Sequence, residues 1–243
     1  MGPRFRGGDG RKQLILTPVE WGIVGLSLRI GLVAMAVTLP LAFALAFLLA
    51  RGRFAGKVVV DALVHLPLVL PPVVTGWLLL LAFAPGGPIG GLLEGWFGVT
   101  VLFRWTGAAI AAGVMALPLM VRAMRLSIEA VDRRLENAAR TLGASRGRVF
   151  ATITLPLSVP GILAGCVLGF ARSIGEFGAT ITFVSNVPGE TRTLPLAIYS
   201  ALQLPDGDAE VLRLALVSVA LSLGALIVSE LLARRSARGM HVV

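Results

Sequence analysis

Residues Pro160–Val184 read PGILAGCVLGFARSIGEFGATITFV, an apolar stretch long enough to cross a bilayer as a helix. The stretch nevertheless contains Arg172 and, four residues later, Glu176. A charge at the centre of a bilayer costs about 2.5–3.5 kcal/mol on insertion scales, so both charges need a partner or water. The sequence therefore predicts a membrane helix with one polar face that is turned away from lipid.

The rest of the chain has the same apolar character. Of its 243 residues, 56% are hydrophobic and only 14% are charged, and the mean hydropathy is +0.86. This composition excludes an ordinary soluble domain. We predict an all-α integral membrane protein with five spanning helices. The expected spans are residues 21–50, 58–84, 106–121, 160–184 and 211–233. Arg29 interrupts the first span, and we expect its side chain to reach an interface.

Basic residues concentrate after the first, third and fifth spans, which fall on one side of the membrane in a five-span topology. Because Lys and Arg are retained in short loops on the cytoplasmic side, that side is predicted to be the cytoplasm. The net charge of +9 then reflects loop orientation, and no nucleic-acid partner is expected. Residues 234–243 form a cytoplasmic tail that follows the transmembrane domain, residues 21–233.

The basic amino-terminal extension, residues 1–20, disagrees with this orientation, because five spans place it outside. A sixth element near Leu14 would reverse its side. Pro18 and Glu20 argue against a full span there, so five spans remain the prediction and six the alternative.

The segment 129–158, called the long loop below, has a helical pattern of its own. Glu136 and Arg140 are spaced to pair on one helix face, and Gly143 stands where that helix would stop. A second short helix is expected from Ser145 to Thr152, before Pro156 and Pro160 mark the return to the membrane. The apolar positions at helical spacing are Ile128, Val131, Leu135, Ala138, Ala139 and Leu142. This ridge suits either the groove of a partner protein or the lipid surface.

Within the long loop, ENAARTLGASRGRVFATITLPL (Glu136–Leu157) resembles the EAA loop of ABC-importer permeases. The family spacing is met by Ala138, Ala139, Gly143, Ile153, Leu155 and Pro156. Asn137 occupies the family's Glu position, with Glu136 one residue earlier, so a carboxylate contact there is not carried over. The resemblance implies a coupling helix that docks on a separate ATPase subunit, through Glu136, Asn137, Ala138, Ala139, Leu142, Gly143, Ile153, Leu155 and Pro156.

Three further stretches extend the resemblance to molybdate-type permeases, which are close to sulfate and thiosulfate permeases. They are HLPLVLPPVVTGWLLL (65–80), GVMALPLMVRAMRLSIEAVD (113–132) and FARSIGEFGATITFVSNVPGETRTLPLAIYS (170–200). The resemblance covers nearly all of residues 17–233. It implies a type I importer permease of the bacterial inner membrane that works as a homodimer. Two ATPase subunits and a periplasmic oxyanion-binding protein are the implied partners.

The same resemblance implies that this chain is not an enzyme and holds no cofactor, since ATP and Mg²⁺ belong to the ATPase subunit. In agreement, the sequence contains no Gly-x-x-x-x-Gly-Lys-Ser/Thr phosphate loop. The implied substrate is molybdate or tungstate, with sulfate or thiosulfate as the alternative.

Two membrane segments are candidates for the translocation pathway. Pro71 and Pro72, with Pro67 before them, remove backbone donors inside the second span, and broken helices mark the binding sites of many transporters. A plain kink is the alternative. In the fourth span the candidates are Arg172, Ser173, Glu176 and Thr180. Arg172 and Glu176 form either a structural pair or part of an anion path.

Two other classes of function are an enzyme within the membrane and a structural or sensory membrane protein. A membrane-embedded enzyme would need a nucleophile with its base, or a metal site. His65 and His241 are far apart, and Cys166 is the one cysteine. A structural or sensory membrane protein with a partner-binding loop remains open, and a transport assay separates it from a permease.

Overall fold

A computed structural model of the chain describes residues 15–240, without the side chains of 229, 230 and 232–240. The alternative sixth element near Leu14, most of the basic extension and His241 lie outside the described residues. All regular elements among those residues are helices. They are α1 Pro18–Arg51, α2 Lys57–Val69, α3 Pro72–Phe83, α4 Gly90–Phe97, α5 Trp105–Ala130, α6 Arg133–Thr141, α7 Arg146–Val149, α8 Leu155–Ile174, α9 Gly178–Val184, α10 Leu194–Ala201 and α11 Asp208–Met240, with a π-helical turn Phe150–Thr154 between α7 and α8.

Among the described residues, four helical runs are long and apolar enough to cross a membrane: α1, α5, the continuous run Arg146–Ile174 and the first part of α11. The pair α2 and α3 makes a fifth span if it is counted as one, although it is bent by 115°. The predicted all-α membrane fold is confirmed, and the second of its five spans is broken.

Helix α5 is the centre of the fold, since it packs against both α1 and α8 and is the most buried of the spans. Small residues make this close approach possible. A Cβ atom on Gly169 would lie 2.6 Å from the Sδ atom of Met120, and one on Gly165 would lie 2.9 Å from Cε of Met124. Glycines at helix contacts are the usual means of close packing in a membrane.

The amino-terminal end of α1 is fixed by hydrogen bonds. The Thr17 side chain accepts from the backbone N–H of Glu20, and the Glu20 carboxylate accepts from the backbone N–H of Thr17, which forms a capping box. Glu20 also lies 2.8 Å from Nη2 of Arg213 in α11. Farther along α1, the guanidinium of Arg29 lies 3.8 Å from the ring centre of Trp105, so its partner is an aromatic face.

The fourth span differs from its predicted bounds. Helix α8 begins before Pro160 and ends at Ile174, and α9 starts only at Gly178. The break is stabilised locally, because Oε1 of Glu176 accepts a hydrogen bond of 2.8 Å from the N–H of Ala179 in the first turn of α9. The expectation of one continuous helix over 160–184 is therefore wrong.

The third span also differs, because α5 continues beyond its predicted end at Val121 to Ala130. Arg125 and Glu129 in the added turns are paired: Arg125 lies 2.8 Å from Glu129 and 3.0 Å from Asp61 of α2. As a result Ile128 belongs to α5, and Ile128 and Val131 are both buried, so neither is part of an exposed ridge on the long loop.

The return of the long loop to the membrane is continuous. Residues from Arg146 to Ile174 form one helical run that includes the π-helical turn, so the short helix expected from Ser145 to Thr152 does not end before Pro156. Pro156 is the second residue of α8, directly after the π-helical turn, and Pro160 lies farther along the same helix. Separate helices before and after these prolines were a wrong prediction.

Candidate coupling and translocation sites

Helix α6 has defined ends. At its start, the Asp132 carboxylate accepts from the N–H of Arg134 at 2.8 Å. At its other end, Gly143 has φ +88°. The N–H groups of Gly143 and Ala144 donate to the carbonyls of Arg140 and Ala139, at 2.9 and 3.0 Å, which is a Schellman motif. Gly143 is the helix stop that its position in the sequence predicts.

The outer face of α6 is uncovered. Leu142 is 89% exposed and Leu135 is 51% exposed, and no residue of α6 is buried. Asn137 and Ala138 are exposed as well, whereas Ala139 is half-buried. Exposed apolar side chains on a projecting helix are typical of a surface that receives a partner.

The inner face of α6 is held by Glu136. Its Oε1 atom lies 2.9 Å from Nη2 of Arg51, the last residue of α1, and accepts a hydrogen bond of 2.8 Å from the Thr154 hydroxyl. Arg51 also donates to the carbonyl of Val131 at 3.1 Å. The predicted pair of Glu136 with Arg140 is wrong, because Arg51 reaches Glu136 in a less exposed position.

The remaining long-loop candidates lie where α6 connects to α8. Ile153 is in the π-helical turn, and Leu155 and Pro156 begin α8. Next to them, the Phe150 ring lies 5.3 Å from that of Phe47 and 6.1 Å from that of Phe43, both in α1. The aromatic contacts and the Arg51–Glu136 pair therefore attach the long loop to α1 at two positions, Phe150 and Glu136.

The predicted break in the second span lies at Leu70 and Pro71, and Pro72 is the first residue of α3. The bend places α3 against α9. A Cβ atom on Gly76 would lie 2.6 Å from the carbonyl oxygen of Ala179, and one on Gly178 would lie 2.8 Å from Cβ of Pro72. The two candidate pathway segments are thus brought together by two glycines.

The pair of Arg172 and Glu176 is present. Nη1 of Arg172 lies 2.6 Å from Oε2 of Glu176, and the side chains are 26% and 2% exposed respectively. Ser173 donates its hydroxyl to the carbonyl of Gly169 at 2.8 Å, and Thr180 is buried. The carboxylate has two partners, whereas part of the guanidinium surface remains accessible.

Two residues of these sites were not foreseen. Arg51 lies 85 positions from Glu136 in sequence, and only its place at the end of an apolar run marked it. Thr75, next to Gly76, has a buried hydroxyl without a hydrogen-bond partner among the described residues. Its position in the proline-rich stretch was the available signal.

The described part of the chain contains no group of three or more His, Cys, Asp or Glu residues that could hold a metal ion. Nδ1 of His65 lies 2.8 Å from the carbonyl oxygen of Asp61 and 3.2 Å from its Oδ1 atom, so this imidazole has local partners.

The family described as "Binding-protein-dependent transport system inner membrane component" matches residues 38–238. The chain belongs to this family of importer permeases. It is 56% identical over 223 residues to the "Molybdenum transport system permease protein ModB" of Escherichia coli (strain K12), covering 92% of this chain and 97% of that protein. It is 55% identical to the protein of the same name in Haemophilus influenzae, over 89% of this chain and 95% of that relative.

Solved structures agree on the fold. A bacterial ABC transporter for import of the acidic polysaccharide alginate matches with a TM-score of 0.72 at 18% identity, covering 96% of this permease and 85% of that chain. The inward-facing MetNI methionine ABC transporter matches with a TM-score of 0.64 at 15% identity, over 89% and 94% of the two chains. At such identities the likeness shows the permease fold alone. The family match, the molybdenum-permease relatives and the spanning helices together show a multi-pass inner-membrane protein.

Proposed function

We propose that this permease moves molybdate or tungstate inward across the cytoplasmic membrane. The observation that carries the proposal is the 56% identity, over 92% of the chain, to a molybdenum transport permease. A second relative, described as a putative molybdenum transport permease of Bacillus subtilis, is 41% identical over 74% of the chain. Sulfate or thiosulfate transport by the same fold is the alternative with less support.

In this proposal ATP hydrolysis occurs on two copies of a separate subunit, which also bind Mg²⁺. The permease itself acts without a cofactor and as a homodimer. A periplasmic oxyanion-binding protein delivers the anion to it. The uncovered ridge of α6 at Leu135 and Leu142 supports docking of the ATPase subunit there. A binding-protein partner is supported by the alginate transporter, whose structure is known in complex with a periplasmic protein.

Coupling would follow from the attachments of α6. ATP binding draws the two ATPase subunits together, and each docked α6 moves with its subunit. Because Glu136 joins α6 to Arg51 of α1 and to Thr154 beside α8, a displacement of α6 is passed to two spanning helices. The cavity between the two permease copies then opens outward, and hydrolysis returns it to the inward-facing state.

The pathway residues in this proposal are Pro71, Pro72, Arg172, Ser173, Glu176 and Thr180. A transported dianion must leave its site as readily as it enters, so contacts along the path are expected to be weak. Arg172 meets this requirement, since its charge is largely balanced by Glu176 at 2.6 Å. The alternative, in which Arg172 and Glu176 form a purely structural pair, is tested below.

The test is uptake of radiolabelled molybdate into proteoliposomes that contain the permease and its ATPase subunit, with ATP inside and the binding protein outside. We expect uptake that requires ATP and binding protein and that resists a large excess of sulfate. If sulfate competed as well as unlabelled molybdate, the assignment of molybdate or tungstate as the substrate would be refuted. Absence of ATP-dependent uptake of molybdate, tungstate, sulfate and thiosulfate alike would refute the transport function.

A further inference from the structure

We propose that the long loop contains a cationic pocket that binds an acidic segment of the ATPase subunit; the inference rests on the proposed function. The pocket has a volume of about 470 Å³ and lies between the end of α1, α6, α7 and the π-helical turn. Its polar lining includes Arg51, Arg133, Glu136, Asn137, Arg140 and Arg146. Its floor includes the apolar side chains of Phe47, Val149 and Phe150.

The charge in this pocket is one-sided. Residues 132–148 contain five arginines and two acidic residues. Both carboxylates are already engaged, Glu136 with Arg51 and Asp132 at the start of α6. Among the described residues, no carboxylate forms an ion pair with the exposed guanidiniums of Arg133, Arg140 and Arg146. The pocket therefore presents unbalanced positive charge beside an uncovered ridge.

A protein carboxylate suits this pocket better than a lipid headgroup. Helices that lie on a membrane have a broad apolar face with Trp, Phe or Leu. Helix α6 reads RRLENAART, with Leu135 as its one large apolar side chain, and only Leu142 at its carboxyl-terminal cap adds a second one. A pocket of this volume is of the size that encloses a bound molecule, about 300–1,000 Å³, so it can take several side chains of a partner loop. Guanidiniums pair with carboxylates through two parallel hydrogen bonds, which adds geometric specificity.

The polarity of the pocket also explains the departure at Asn137. Where the family resemblance expects a permease carboxylate, this chain has a neutral, exposed amide that lines the pocket. The cations are then on the permease, and the complementary carboxylates are on the ATPase subunit.

The experiment measures the affinity of the ATPase subunit for the full permease in nanodiscs of neutral lipid. Arg140→Glu and Arg146→Glu reverse charges of the pocket, while Arg134→Glu and Arg148→Glu make the same change at exposed positions of the same loop that do not line it. We expect the pocket variants to bind at least about tenfold more weakly and the controls to change by less than about threefold. Wild-type affinity should fall with salt more steeply than that of the pocket variants.

The outcomes separate the possible failures. Equal weakening by pocket and control variants would overturn the inference while leaving the proposed function intact. A pocket effect that appears only in nanodiscs of anionic lipid would assign the charges to the membrane and would also overturn it. If the ATPase subunit does not bind the wild-type permease at any salt concentration, the proposed function itself fails. Arg140→Gln, checked by size-exclusion chromatography, keeps the test valid if charge reversal prevents folding.

Discussion

Nη2 of Arg51 and Oε1 of Glu136 lie 2.9 Å apart, which joins the last residue of the first spanning helix to the projecting helix α6. The two side chains are 13% and 14% exposed. Removing one partner of a buried pair is costly, because it leaves an unpaired charge in a poor solvent. This relationship connects the proposed docking surface to the membrane domain.

We expect Glu136→Gln to lower the unfolding free energy by about 1–3 kcal/mol, less than the roughly 3–5 kcal/mol for a fully buried pair, because some solvent reaches these side chains. Uptake should fall by more than the loss of folded permease accounts for. The ATPase subunit should still hydrolyse ATP, but without transport of the anion. Thermal unfolding in detergent and coupled uptake are the measurements. Arg53→Gln is the control, since Arg53 is an exposed charge two residues after Arg51. Unchanged coupling in Glu136→Gln would contradict the role given to this pair.

Gly143→Val is expected to weaken ATPase binding while the permease still inserts. The φ of +88° at this position strains a β-branched residue by about 1–2 kcal/mol, so the end of α6 should unwind. Gly143→Asn is the control, because Asn tolerates this backbone region. Co-purification of the ATPase subunit is the readout. Normal recovery with Gly143→Val would show that the helix stop is not needed for docking.

For Arg172 and Glu176, a structural pair predicts that Arg172→Leu or Glu176→Leu lowers the folded yield. The double variant should recover only part of it, because the hydrogen bond from Ala179 to Glu176 is lost as well. An anion-sensing Arg172 instead predicts a normal yield with poor uptake in Arg172→Leu, which the double change does not restore.

Arg172→Lys refines this test, because it keeps the charge and loses the planar fork of the guanidinium. Folded yield and molybdate uptake are measured for each variant in the reconstituted system. Normal yield together with normal uptake in both single Leu variants would contradict the structural and the anion-sensing roles alike.

Gly76→Ala is expected to separate α3 from α9 and to reduce both yield and uptake. The added Cβ would lie 2.6 Å from a backbone oxygen of Ala179, which cannot move aside as a flexible side chain does. Gly95→Ala in α4 is the control, since nothing lies within 4 Å of its added Cβ. The idea is wrong if the two variants behave alike in size-exclusion chromatography and uptake.

The predicted orientation is tested by labelling of single cysteines. Cys166→Ala provides a cysteine-free background, since the chain has one cysteine. A cysteine introduced by Arg146→Cys should react with an impermeant reagent only from the cytoplasmic side, and one introduced by Gly189→Cys only from the outside. Labelling of both from the same side would refute the five-span topology.

The sequence by itself determined the features that depend on neighbours along the chain. Apolar runs of sufficient length predict spanning helices, because the bilayer requires internal hydrogen bonding over its whole thickness. Gly143 marks a helix end and the Pro71–Pro72 pair marks a helix break, since both act through local backbone geometry. The ion pair of Arg172 and Glu176 was likewise visible in their spacing.

Only the tertiary structure decided which of several available partners each side chain has. Glu136 had Arg140 four residues away, yet it pairs with Arg51, 85 positions distant, because that site is less exposed and the Thr154 hydroxyl supplies a further hydrogen bond. Ile128 and Val131 fit a ridge by periodicity, but Ile128 lies in α5, Val131 directly follows it, and both are buried. The fourth span ends at Ile174 because the Glu176 side chain bonds the first turn of a new helix, a contact that periodicity of apolar residues does not encode.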